Sequence, residues 1–156
     1  IKIPAGVDDG SRLRLAGEGE HGVRGGSQGD LFVVIHVEDH ARFQRRDFDV
    51  VSEVSISYPL AVLGGKVEID TIHGPELLSV PSGTIPGSVL DIRGKGIPRL
   101  GGRGHGDHRA VILLTVPRAR DLEPDQLELV EKLARDGGEE PSEDRNVIDR
   151  VKDLFA

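Results

Sequence analysis

The sequence predicts an all-β chain built from two copies of one β unit, the first copy partial, followed by a C-terminal helix. Three observations carry this. A shift of 77 positions aligns the chain with itself without a gap, short apolar stretches alternate with polar residues at period two, and after Pro117 the apolar spacing changes to that of a helix.

The repeat begins at once. Ile1-Lys2-Ile3-Pro4-Ala5-Gly6 falls on Leu78-Ser79-Val80-Pro81-Ser82-Gly83, and Gly10-Ser11 on Gly87-Ser88. Leu13 and Leu15 fall on Leu90 and Ile92, Gly17 and Gly19 on Gly94 and Gly96, Gly29-Asp30 on Gly106-Asp107, and Val34-Ile35 on Val111-Ile112. Glycines recurring in register imply the same positive-φ turns or close backbone approaches in both copies.

Each copy reads as strand, turn, strand, long Gly loop, strand. In the first copy these are residues 1–3, the alternating Arg12-Leu13-Arg14-Leu15, and the run Leu31 to Val37; in the second they are 76–80, 88–92 and 108–116. Two further strands are expected between the copies, Val50 to Ser57 and Lys66 to Ile72, each alternating apolar and polar residues as a half-buried strand does. Pro59 to Leu63 fits one helical turn stopped by Gly64-Gly65, and His73-Gly74 a tight hairpin turn. Residues 41–118 thus hold about five strands and 1–40 only the last three of their copy, so the sequence reads as starting inside a domain. The absence of any Met likewise marks it as part of a longer polypeptide.

Leu122, Glu123, Pro124 and Leu127 fit a helix start with Pro in the first position and a Leu122–Leu127 staple across the cap. Leu127, Val130, Leu133 and Ala134 make an apolar stripe, ended by Gly137-Gly138. Residues 138–146 are polar enough for a linker, and Val147, Val151, Leu154 and Phe155 share one face of a terminal segment too short to be stable alone. The expected organisation is therefore a partial β domain over 1–40, a full one over 41–118, a helix over 119–137, an acidic linker over 138–146 and an amphipathic end over 147–156.

Composition narrows the chemistry. With no Cys there is no disulfide, thiolate metal site or Cys nucleophile, and no apolar run approaches the roughly 18 residues of a membrane span. The net charge of −7 repels phosphate backbones. The one basic cluster, Arg93, Lys95, Arg99, Arg103 and Arg109, lies in a Gly-rich loop without stacking aromatics, so no nucleic-acid partner is expected. Gly17-Glu18-Gly19-Glu20-His21-Gly22 matches a dinucleotide fingerprint, but no helix follows to receive a pyrophosphate. Gly25-Gly26-Ser27-Gln28-Gly29 matches a nucleophile elbow, again between strands and without a helix. His105-Gly106-Asp107-His108 offers two imidazoles and a carboxylate, yet adjacent positions rarely converge on a metal without a third ligand, and Asp107 is better placed to bond turn amides, as Asp30 is in the first copy. No catalytic constellation emerges. What remains are apolar faces: Leu31, Val33 and Ile35 read as core or as an open groove for an extended peptide, and the helix as packing on its own domain or as a dimer contact.

Ile1 to Gly10 as a block, Leu15-Ala16-Gly17-Glu18-Gly19, Gly29-Asp30-Leu31, Leu63-Gly64-Gly65, Pro81-Ser82-Gly83-Thr84 and Arg93-Gly94-Lys95-Gly96-Ile97-Pro98 together resemble the C-terminal region of DnaJ-type co-chaperones of the heat-shock forty family. The likeness runs from residue 1 to about 136, and Val151 to Phe155 is similar to the tail of some bacterial members. It departs at Ala41, where Pro is usual, and at Phe48, where a turn Gly is usual.

The resemblance implies tandem β-sandwich-like C-terminal domains that hold unfolded client polypeptide, a helix that makes a homodimer, and delivery of clients to a DnaK-type chaperone in the cytoplasm. It places client binding approximately at Ile1, Ile3, Val33 and Ile35, and dimerisation at Leu127, Val130, Leu133 and Ala134. Neither the family's His-Pro-Asp nor its repeated Cys-x-x-Cys occurs in this sequence. The expectation is therefore a non-enzyme with no cofactor of its own, structural zinc belonging to a separate module of the parent protein, and with no nucleic-acid or membrane partner.

Overall fold

A computed structural model describes residues 1–141. Eight strands, one short helix and one longer helix follow in the order β1 (Arg12–Leu15), β2 (Leu31–Val34), β3 (Gln44–Arg46), β4 (Asp49–Ser57), α1 (Tyr58–Leu63), β5 (Gly65–Thr71), β6 (Gly74–Val80), β7 (Val89–Ile92), β8 (His108–Thr115) and α2 (Pro124–Asp136). The chain divides into a unit Ile1–Leu114 and a second that starts at Thr115.

The first unit is β-structured, in three sheets: the ribbon β1-β2, the four-stranded sheet β3-β4-β8-β7 and the ribbon β5-β6. Its core is a single cluster, Val54, Ile56, Ala61, Ile69, Leu78, Val80, Ala110 and Ile112, drawn from β4, α1, β5, β6 and β8. The alternation expected for β4 is present, with Val50, Ser52, Val54 and Ile56 all turned inward. The short helix also forms: the Ser57 hydroxyl caps it by accepting from the Leu60 amide at 3.4 Å, Pro59 opens it, and Gly64 ends it at φ +74°.

The 77-residue repeat holds at the level of individual hydrogen bonds. The Gly10 amide donates to the Ile35 carbonyl at 2.8 Å and the Gly87 amide to the Ile112 carbonyl at 2.7 Å; the Gly19 and Gly96 amides donate to the Gly29 and Gly106 carbonyls, both at 2.8 Å. Strand register repeats too, with Arg12 opposite Val34 and Val89 opposite Val111.

Three elements differ from expectation. Residues 1–3 form no strand, although their counterparts Leu78 to Val80 in β6 pair with Gly65 to Val67 of β5, because no strand lies beside them among the described residues to supply the ladder. A sixth strand, β3, occurs in the second copy and pairs antiparallel with β4 across a turn in which Asp47 takes φ +55°. Run Leu31 to Val37 is also ordered as a strand only as far as Val34.

In the second unit, a 3₁₀ turn over Ala119–Asp121 leads into α2. A capping box closes the helix start: the Glu123 side chain accepts from the backbone of Gln126, and the Gln126 side chain accepts from the Glu123 amide at 3.2 Å. Pro124 stands in the first turn and Gly137 at the C-terminal cap, as expected. The terminal segment expected at 147–155 lies outside the described residues.

Candidate functional site

On the β1-β2 ribbon, Leu13 lies opposite Val33 and Leu15 opposite Leu31, which puts these four aliphatic residues on one face and Arg12, Arg14, Phe32 and Val34 on the other. Ile35, just past β2, stays in the ladder by donating to the Ser11 carbonyl at 2.8 Å. Val33 and Ile35 are half-buried and share the Leu13 face. Ile1 and Ile3 are 76% and 57% exposed and belong to no ladder.

The repeat shows what these positions are built for. Shifted by 77, Ile1, Ile3, Val33 and Ile35 become Leu78, Val80, Ala110 and Ile112, which are 2%, 2%, 0% and 1% exposed and form half of the core cluster. In the second copy β4, α1 and β5 cover that face. In the first copy no such elements are present among the described residues, and the face stays only half-buried, with Leu31, Ile1 and Ile3 exposed, on a two-stranded ribbon with free edges. Burying one such aliphatic side chain is worth roughly 1.5–3 kcal/mol, so the face can hold an extended apolar segment without any catalytic group.

On α2, Leu127 and Ala134 are half-buried while Val130 and Leu133 are 52% and 55% exposed; Leu129 is also exposed. The helix buries no residue fully, so its stripe is likewise available to a partner.

The polar motifs resolve into structure. His108 is fully buried and shares a 2.7 Å hydrogen bond with the Ser52 hydroxyl through Nε2, while Nδ1 has no partner. Burial lowers its pKa below the usual imidazole value. Asp107 accepts from the Gly94 amide at 2.8 Å, and its own amide donates to Asp49. His105 instead lies against His73. His105, Asp107 and His108 are therefore turned to three different tasks. Gly17, Gly19 and Gly22 line a loop that returns to β2 without a helix, and Ser27 sits in the same loop.

A cleft of about 590 Å³ in the first unit was not legible in the sequence. His40 stacks on Phe43 at 4.9 Å, Phe43 meets the His108 ring edge-on at 5.9 Å, and Arg42 pairs with Asp70 at 2.7 Å along its wall. Close by, the Arg45 guanidinium donates to the Val7 and Gly6 carbonyls at 2.6 and 3.1 Å and so ties the first copy to the second. At the same junction the Val37 amide donates to Asp9 at 2.9 Å, and this hydrogen bond holds the Asp9 carboxyl below its ordinary pKa.

Residues 1–117 match the family described as the DnaJ C terminal domain. The chain belongs to that family. Curated relatives bear the name Chaperone protein DnaJ. That of Halothermothrix orenii is 42% identical over 156 residues, covering 99% of this chain and 41% of the relative. The Nostoc punctiforme protein is 44% identical over 140 residues, covering 89% of this chain and 37% of the relative. The Brevibacillus choshinensis protein is 42% identical over 159 residues, covering 99% and 42%. This DnaJ C-terminal region thus spans about two fifths of the length of the relatives it matches. Its strand-rich first unit agrees with the β-sandwich-type fold of the family. Among the described residues, no helix is long and apolar enough to cross a membrane.

Proposed function

We propose that this chain is the client-holding and dimer-forming part of a DnaJ-type co-chaperone. It binds unfolded polypeptide non-covalently, needs no cofactor of its own, and as part of its parent protein hands the client to a DnaK-type chaperone in the cytoplasm. The observation that carries the reading is the half-buried apolar face at Leu13, Val33 and Ile35, where the counterparts of Val33 and Ile35 77 residues later, Ala110 and Ile112, are sealed core. An unfolded segment with apolar side chains at alternate positions matches such a face, and the free edge of the ribbon offers main-chain partners for it.

Dimerisation through Leu127, Val130, Leu133 and Ala134 adds avidity, since two weak sites joined in one particle hold a long client better than either alone. The exposure of Val130 and Leu133 supports this arm of the reading. A second reading, in which the chain is purely a dimerisation arm and client contacts lie upstream, rests on the same exposure.

Titration of the isotope-labelled chain with an unfolded apolar peptide separates the two. Amide shifts concentrated at Leu31 to Ile35, and abolished by Val33→Asp, are expected. Shifts absent from that stretch would leave only the structural arm. In parallel, Leu133→Asp is expected to yield a monomer by sedimentation and to weaken binding of a long client more than of a short one.

A further inference from the structure

We infer that the junction between the two copies holds a second polypeptide site, selective for an apolar segment flanked by arginine or lysine, a reading that rests on polypeptide binding by this chain and gives it a substrate class. A cavity of about 370 Å³ opens there, inside the first unit. Val37 at the end of the first copy, Phe43 just ahead of β3, Ile72 just after β5 and Ile97 in the β7-β8 loop line it. Val37 and Ile72 are 46% and 42% exposed, so apolar surface inside the cavity is still in contact with water. Covering it is favourable for any aliphatic side chain that fits.

The rim supplies the selectivity. Asp8, Asp9, Glu38, Asp39 and Asp47 all border the cavity. Arg45, the one guanidinium on that lining, donates to the Gly6, Val7 and Asp47 carbonyls and lies 3.6 Å from Asp8. Asp9 accepts from the Val37 amide and lies 3.5 Å from His36. Glu38, Asp39 and Asp47 meet no cation within ion-pair distance among the described residues. Five carboxylates against one guanidinium leave the rim strongly negative.

Carboxylates gathered in this way repel one another, and an incoming cation relieves that repulsion. Arginine and lysine meet both demands of the site, because the aliphatic stem lies along apolar surface while the charged head stays at the wet rim. Acidic segments and phosphate backbones are turned away by the same field. The β1-β2 face differs, since its ladder positions Leu13, Leu15, Leu31 and Val33 are all aliphatic. The charge of a peptide therefore tells the two sites apart.

The test uses the full isotope-labelled chain and two unstructured peptides with the same leucine core, one flanked by arginines and the other by glutamates. The arginine peptide is expected to shift amides at Val37 to His40 and at Ile72. It should bind there about threefold to tenfold more tightly than its twin at low salt, the gap closing as salt is raised. Glu38→Gln combined with Asp39→Asn, both exposed positions, should shrink that gap and leave the spectrum of the free chain otherwise unchanged. Val37→Ser should weaken both peptides at the junction. Junction shifts that persist in Val33→Asp, or that come without any at Leu31 to Ile35, would support this site independently of the ribbon face. Shifts confined to Leu31 to Ile35 would overturn the junction site and leave the ribbon reading standing. Equal affinity for the two peptides, an unchanged gap in the double variant, or the same junction shifts with arginine amide alone would each overturn it as well.

Discussion

The Asp107 carboxylate accepts a hydrogen bond from the Gly94 amide at 2.8 Å, and Asp30, 77 positions earlier, holds Gly17 in the same way at 3.0 Å. Both glycines are at positive φ, +71° and +74°. The carboxylate satisfies an amide that a left-handed turn would otherwise aim at nothing, and so it closes the long Gly loop in each copy.

Asp107→Ala is accordingly expected to destabilise the first unit by about 1–2 kcal/mol, read as a fall in the urea midpoint, and to speed hydrogen exchange at Gly94. Asp30→Ala should cost about as much, since it breaks the same bond and its further pair with the exposed Arg14 adds little. A loss at Asp30 far below that at Asp107 would contradict the shared role.

His108 gives the first unit an acid-side limit. Burial holds its pKa below 6.5 in the folded chain, so the unfolded chain binds the proton more tightly. The stabilisation from a neutral His108 is complete above about 6.5 and is lost progressively as pH falls below that value. A ring titration by NMR should give a midpoint under 6.5; a midpoint at or above it would rule this out. Ser52→Ala, which strips the one partner from a ring with an unpaired Nδ1, should cost a further 1–3 kcal/mol or so at neutral pH.

Glycine at 106 is a matter of space. A Cβ there would lie 2.0 Å from the Phe48 carbonyl oxygen, against the backbone. Gly106→Ala is expected to cost at least about 3 kcal/mol by overpacking, with β3-β4 displaced from the loop. Gly102→Ala, which meets only Arg99 at 3.4 Å and has no positive φ, should stay within roughly 0.5 kcal/mol of the parent chain. Thermal unfolding of the two variants side by side checks the contrast.

The start of α2 depends on a reciprocal pair. Glu123→Ala breaks the capping box, though the Gln126 amide keeps Asp125 as an acceptor at 2.9 Å, and should cost up to about 1 kcal/mol of local stability. Faster exchange at Gln126, with the first unit unaffected, is the expected signature in amide exchange.

What the sequence by itself determined is the part that rests on neighbours in the chain. Recurring glycines mark turns, period-two alternation marks β4 and β5, and Pro124 with Gly137 brackets α2; each signal is local, so the repeat register and most elements were legible. The candidate client face was legible as an apolar alternation at Leu31, Val33 and Ile35, though not whether it was covered. Strand β3 was not legible, because Gln44-Arg45-Arg46 is polar and gains its conformation only by pairing with β4. Residues 1–3 show the converse, an apolar stretch that carries strand signal but has no ladder among the described residues. Tertiary structure alone separated His108 from His105. It drew one into the core against Ser52, 56 positions away, and set the other beside His73, because a side chain's burial and partners depend on which strands meet and not on which residues follow one another.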